Sequence, residues 1–277
     1  MLRRIPRLLA ALNPTTAVHS TAALIQTGSP LNPFLLISGP YHHAPADAHR
    51  LLDETPGKAG SIVRALGACR GASIQEDVVA ALHCAAVKSG AVQDPPVRTS
   101  VLAAYSRARD VGSALAVFDE AAAPDVILWN AAIGALTLNR RYDDAVVLFR
   151  WMVDVLGVFD STSMVIMLSG ASRARSLEHG IVLHGIALKR CLDTVLSLWN
   201  ALINMYAKCG DFYTSEVVFQ RMPYRDTTSW NCMISGSIFN GFAEISACYL
   251  KEMVRSGFQA DETPHTCCML DGTWHKY

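Results

Sequence analysis

An all-α fold, a right-handed superhelical solenoid of stacked helix-turn-helix units, is the class this sequence predicts, and three observations predict it. Landmark residues recur at one long spacing, each unit carries two apolar stripes of helical period, and no segment sustains the period-two alternation of a half-buried strand. One helical hairpin cannot bury its apolar face alone, so neighbours must stack to make a continuous core.

The long spacing is 101 residues. It separates Trp129 from Trp230, Asn130 from Asn231, Tyr105 from Tyr206, Phe118 from Phe219, His83 from His184 and Asp160 from Asp261. Cutting the chain after the recurring Asp residues gives 95–125, 126–160, 161–195, 196–226 and 227–261, with lengths of 31, 35, 35, 31 and 35. A triplet of 35, 35 and 31 residues accounts for the 101-residue period. Upstream, 59–94 fits as a unit of 36 residues and 30–58 as a shortened, degenerate one.

Taken along the chain, residues 1–29 hold Arg3, Arg4 and Arg7 with no acidic residue before Asp47, the pattern of an organellar transit peptide. Within 126–160, Trp129, Ile133 and Leu136 form one helical stripe, Asn139, Arg140 and Arg141 the turn, and Ala145, Leu148 and Met152 a second stripe. Segment 196–226 repeats the design with Ala201, Leu202 and Met205 ahead of the turn Lys208-Cys209-Gly210-Asp211, where glycine frees the backbone to reverse. Residues 262–277 begin a further unit, and Asp271-Gly272 breaks it before a second helix; a truncated product or a partner-binding end fits this equally.

Composition excludes several classes. The chain has 277 residues, 51% apolar and 17% charged, with 24 Lys and Arg against 24 Asp and Glu, which argues against disorder and against a polybasic nucleic-acid binder. No apolar run approaches the roughly 18–20 residues of a membrane span. The eight cysteines (Cys69, Cys84, Cys191, Cys209, Cys232, Cys248, Cys267, Cys268) include no CxxC pair and read as reduced packing residues. No histidine is followed two residues later by glutamate and no PCxxC exists, so a zinc deaminase is excluded. Phosphate-loop and nucleophile-elbow signatures are absent as well. The cluster His265, Cys267, Cys268, His275 matches no metal-finger spacing, and no cofactor or metal is expected.

The alternation of lengths, with NALINMYAKCGD (Asn200 to Asp211), VFQRMPYRD (Val218 to Asp226) and SWNCMISG (Ser229 to Gly236), resembles the plant pentatricopeptide-repeat proteins built from P, L and S motifs. On that resemblance 126–160 and 227–261 are P motifs, 59–94 and 161–195 L motifs, and 95–125 and 196–226 S motifs, while 30–58 is S-like. It implies a protein, not an enzyme, that reads single-stranded organellar RNA one base per repeat. The fifth residues of successive units are Thr99, Asn130, Val165, Asn200 and Asn231, and the last residues Asp125, Asp160, Val195, Asp226 and Asp261.

A side-chain amide or hydroxyl in a first helix suits the Watson–Crick edge of an unstacked base, the junction acid orients it, and Ile127 in position two suits stacking. An Asp directly before a helix also serves as an N-cap, which is the competing explanation of the junction residues. The family's pairing rules imply G for Thr99 with Asp125, and U for Asn130 with Asp160, Asn200 with Asp226 and Asn231 with Asp261. The core is then 5′-GUNUU-3′, bound with a modest salt dependence given the zero net charge. The resemblance further implies site recognition for C-to-U editing or other RNA processing, with a deaminase-bearing relative or editing cofactors acting in trans. It places the protein in the mitochondrion, with the chloroplast as the alternative. A protein-binding helical scaffold and a truncated fragment of a longer protein remain the competing readings; the tetratricopeptide signature is not found.

Overall fold

Asp110, Asp125, Asp160, Asp211 and Asp226 cap the first turns of five helices, and most helices are followed within two residues by one with a left-handed backbone. The structure, a computed structural model, describes residues 59–68, 76–192 and 195–259. The readings for residues 1–29, 30–58 and 262–277, and the candidate Asp261, lie outside the described residues. Among the described residues there are twelve α-helices, one short 3-10 turn at Ala91–Gln93 and no strand. The fold class is therefore the all-α helical-hairpin repeat that the 101-residue period predicts. None of these helices is long and apolar enough to cross a membrane.

The chain divides into two compact units, residues 1–157 and 158–277. The first contains α1 (Ala59–Ala68), α2 (Glu76–Lys88), α3 (Pro95–Arg107), α4 (Val111–Asp119), α5 (Val126–Leu138) and α6 (Tyr142–Leu156). Here α1, α3 and α5 form a row in which each packs on the next, and α2, α4 and α6 each pack back on the first helix of their own hairpin. Trp129 is wholly buried and meets the Phe118 ring edge-on at 4.8 Å and Trp151 at 5.7 Å, so this hairpin is keyed to the helix before it.

The second unit contains α7 (Ser161–Ala174), α8 (Leu177–Lys189), α9 (Leu196–Lys208), α10 (Phe212–Arg221), α11 (Thr227–Phe239) and α12 (Ala243–Arg255). The row is α7, α9, α11, and each is backed by the helix that follows it. Trp230 repeats the role of Trp129, with Phe219 edge-on at 5.0 Å. The α9–α11 approach is close enough that a methyl on Gly236 would lie 2.8 Å from Cβ of Ala207, closer than two carbons pack.

The apolar stripes read from the sequence form the core. Ile133, Leu136, Ala145 and Met152 have no exposed surface, and Leu148, Leu202 and Met205 are buried with them, whereas Ala201 is half-buried. The cysteines correct one expectation. Cys84, Cys191, Cys209, Cys232 and Cys248 are free thiols, but Cys84, Cys191 and Cys248 are exposed and do not pack. The reason is register: an apolar-rich segment wound at 3.6 residues per turn still turns some of its small side chains to solvent. Cys232 is the packed one, and burial pushes its thiol up to about 11, leaving it protonated and inert.

Candidate nucleic-acid interface

Asp125, Asp160 and Asp226 each cap a first helix through the side chain, whereas Asp94, the junction before α3, does not. Asp125 precedes α5 and its Oδ1 accepts from the backbone N–H of Leu128 at 2.8 Å. Asp160 precedes α7 and Asp226 precedes α11, and both close a reciprocal capping box. In the second of these, Asp226 Oδ1 accepts from the N–H and the hydroxyl of Ser229, each at 2.8 Å, while the Asp226 N–H donates to Ser229 Oγ at 3.3 Å. The cap explanation therefore holds at Asp125, Asp160 and Asp226, and any base-reading role there is added to it.

One of these carboxylates also meets the fifth residue of a repeat. Asn200, the fifth residue of its unit on α9, donates through Nδ2 to Asp226 Oδ1 at 3.4 Å, bringing together two residues 26 apart in sequence. Burial works to raise the Asp226 carboxyl, but the hydrogen bonds from Ser229, from Asn200 and from its own backbone together hold it below the usual carboxylate range. An ionised carboxylate only accepts, so the amide must face it with its NH2 group. The Asn200 Oδ1 is then left covered and without a hydrogen-bond partner. At this fifth position the protein holds an oriented, unmet acceptor.

The remaining candidates are placed as follows. Thr99 is half-buried on α3, and Asp125 is exposed. Asn130 is buried on α5 in the first unit, whereas Asp160 belongs to the second. Asn231 is half-buried on α11. Ile127 presents 64% of its surface. Val165 and Val195, the fifth and last residues of unit 161–195, are half-buried and carry no polar group in the side chain.

Two sets of residues that hold this surface were not singled out from the sequence. The turn asparagines Asn139 and Asn240, 101 residues apart, reach back to the preceding first helix. Asn139 Nδ2 donates to the Ser106 carbonyl at 3.0 Å, and Asn240 Nδ2 to the Ala207 carbonyl at 2.9 Å. Each also donates to a carbonyl of its own helix, Ala135 at 2.8 Å and Gly236 at 2.7 Å, so one amide ties the ends of two successive first helices together. Arg107 does the same for the Leu66 carbonyl at 3.0 Å.

The second set is a pair of histidine–tyrosine contacts. His83 Nδ1 lies 3.2 Å from the Tyr105 hydroxyl and His184 Nδ1 2.9 Å from that of Tyr206, with rings edge-on in both. Each fastens the second helix of one hairpin to the first helix of the next, α2 to α3 and α8 to α9. Burial holds both imidazoles below the usual histidine value, helped at His184 by Arg221 and opposed at His83 by Glu120. The shared 101-residue spacing was the available signal, but a spacing carries no distance. Among the described residues no group of three or more His, Cys, Asp or Glu is gathered to hold a metal ion.

With this geometry in view, the pentatricopeptide-repeat family model matches residues 97–121, 127–154, 197–226 and 228–258. The chain is 37% identical over 186 residues to the Arabidopsis thaliana pentatricopeptide repeat-containing protein At4g19220, mitochondrial, covering 67% of this chain and 20% of that protein. It is 33% identical to the Arabidopsis thaliana pentatricopeptide repeat-containing protein At2g03880, mitochondrial, covering 64% of this chain and 28% of that one. The chain thus spans less than a third of the length of these relatives. Among solved structures it is similar to the pentatricopeptide repeat protein PPR10, a maize protein, in complex with an 18-nucleotide psaJ RNA element. That likeness has a TM-score of 0.57 at 18% identity, covers 99% of this chain and 40% of that one, and concerns the fold. The hairpins of residues 97–121, 127–154, 197–226 and 228–258 are therefore pentatricopeptide repeats.

Proposed function

We propose that this chain binds single-stranded RNA in a plant organelle and reads its bases through the residue pairs Thr99 with Asp125, Asn130 with Asp160, Asn200 with Asp226 and Asn231 with Asp261. Ile127 stacks against a base. The observation that carries the reading is the Asn200–Asp226 pair, an amide oriented by an ionised carboxylate at the position where each repeat would meet a base. With Nδ2 engaged, Asn200 offers Oδ1, an acceptor, which matches a base whose central Watson–Crick atom bears hydrogen. Uracil and guanine have that N–H; cytosine and adenine present an acceptor there and are refused. Swinging the amide towards a base gives its unmet oxygen the partner it lacks, recovering about 1–3 kcal/mol for a buried acceptor.

The preferred core is 5′-GUNUU-3′, with the L unit 161–195 neutral because Val165 and Val195 have no polar atoms to offer. The chain acts by binding and catalyses no reaction. In the cell it selects sites for C-to-U editing or other RNA processing and depends on a deaminase-bearing relative or editing cofactors for the chemistry. The mitochondrion is the compartment proposed, on Arg3, Arg4 and Arg7 and on the mitochondrial naming of the two relatives above.

The test uses four short single-stranded RNAs that differ only at the fourth base of the core, with the protein unmodified and as Asn200→Thr. The unmodified protein should prefer U. Asn200→Thr, which creates the pair already present at Thr99 and Asp125, should shift that one preference towards G by a factor corresponding to about 1–3 kcal/mol, the worth of a good base contact. Equal affinity for all four RNAs, or an order that the substitution leaves untouched, would overturn the reading.

A further inference from the structure

The turn residue fifteen places into each of the five units from 95–125 to 227–261 has a left-handed backbone. In the units 196–226 and 227–261 it is glycine, Gly210 at φ 88° and Gly241 at φ 80°, which bears this conformation without strain. In the units 95–125, 126–160 and 161–195 it is arginine in each: Arg109 at φ 66°, Arg140 at φ 63° and Arg175 at φ 53°. A left-handed residue with a Cβ is strained, and such strain persists where the side chain has a use. Arg175 has one within the protein, since its guanidinium lies over the Phe239 ring at 5.1 Å. Arg109 and Arg140 are exposed on consecutive turns of the first unit, and neither guanidinium makes an ion pair or hydrogen bond among the described residues.

A favourable interaction with the helix C-terminus does not explain them. An exposed cation there contributes about 0.3–1 kcal/mol, and a basic residue in the last helical turn supplies it without backbone strain, as Arg107 and Lys208 do. What arginine adds at the turn tip is an unpaired guanidinium held clear of the protein, next to helix-end carbonyls that would otherwise repel an anion. The fifth residue and the fifteenth stand ten residues apart on one hairpin, about 15 Å along a helix. A nucleotide standing edge-on at the fifth position, met by an extended arginine from the turn, spans that distance.

Resting on the proposed RNA-binding reading, we infer that Arg109 and Arg140 are a two-residue phosphate clamp, each gripping one backbone phosphate of single-stranded RNA whose bases are read by the same two repeats. Guanidinium suits this task because its planar fork meets phosphate oxygens two at a time. The clamp positions the strand and carries no base preference.

The experiment measures binding of the four core RNAs against potassium chloride concentration for the full chain, for Arg109→Gly/Arg140→Gly, and for Arg109→Lys/Arg140→Lys. Losing two single-strand phosphate contacts should flatten the slope of log affinity against log salt by about 1.4, so the advantage of 50 mM over 200 mM salt shrinks about sevenfold. The loss should be equal for all four RNAs, and the glycine variant, relieved of strain, should melt no lower than the parent. The lysine variant keeps the charge and should keep most of the slope. An unchanged slope in the glycine variant overturns the clamp. A flattened slope with equal affinities for the four RNAs overturns base reading and leaves the clamp standing, and no RNA binding by the parent overturns both.

Discussion

Asp226 serves two neighbours with one oxygen, closing the first turn of α11 and orienting Asn200. Asp226→Ser separates the tasks, because serine is as good an N-cap but lacks the reach to an amide on α9. The expected outcome is a melting temperature close to the parent's with the fourth-base preference for U lost. Thermal melts run beside the four-RNA comparison check it. Asp119 is a residue at odds with its place. Burial, and then the neighbouring Glu120, pushes its carboxyl up to about 6, and its Oδ1 is buried without a partner near the end of α4. A raised carboxyl favours folding fully below its unfolded value of about 3.8, and that contribution is lost as pH rises through 6. Asp119→Asn should therefore raise stability by about 1–2 kcal/mol at pH 8, allowing for solvent screening at a half-buried site, and change little at pH 4. Urea titrations at both pH values decide it.

At the scale of the helix, close backbone approach and histidine–tyrosine contacts both join the repeats, and each answers to a different perturbation. Gly236 lets α11 close on α9, so Gly236→Ala should cost about 1–3 kcal/mol despite alanine's better helix propensity, because the methyl of Ala207 is stiff and must be displaced. Denaturant unfolding checks it, with Gly134→Ala, where an added Cβ meets nothing, as the neutral or stabilising control. The histidine–tyrosine contacts respond to acid. Both imidazoles are held below 6.5 in the folded protein, so above that value folding is unpenalised. As pH falls below 6.5 the unfolded chain takes up protons that the folded one refuses, and stability declines until the folded values are passed. His184→Gln should flatten the dependence of melting temperature on pH between 7.5 and 5.5.

For the molecule as a whole, hairpins that contact only their neighbours make stability a sum of local terms. Trp129 and Trp230 key hairpins to the preceding helix, one in each unit. Trp129→Ala should cost about 3–5 kcal/mol, as expected for a buried aromatic replaced by a cavity. Its effect should stay near home: amide exchange quickens across α4, α5 and α6, while α11 and α12 keep their protection. Uniform loss of protection over both units would show a single cooperative block instead. The acidic and basic residues balance overall, so the turn arginines, not bulk charge, are the expected source of whatever salt dependence RNA binding shows.

The sequence by itself determined what is local and periodic. Helix after helix follows from stripes such as Trp129, Ile133 and Leu136, which turn one face inwards once the chain winds at 3.6 residues per turn, and a stripe too narrow to form a core alone requires stacking. Asp125, Asp160 and Asp226 were legible as caps because a cap acts within three residues of itself. Only the tertiary structure decided which distant groups meet. Asn200 and Asp226 are 26 residues apart, His184 and Tyr206 are 22, and Asn240 and Ala207 are 33; these contacts depend on how closely one helix packs on the next, a distance that no spacing encodes. The left-handed turns at Arg109 and Arg140 were equally hidden. Where glycine stands, the sequence announces the conformation, but an arginine is driven into it by the hairpins it joins.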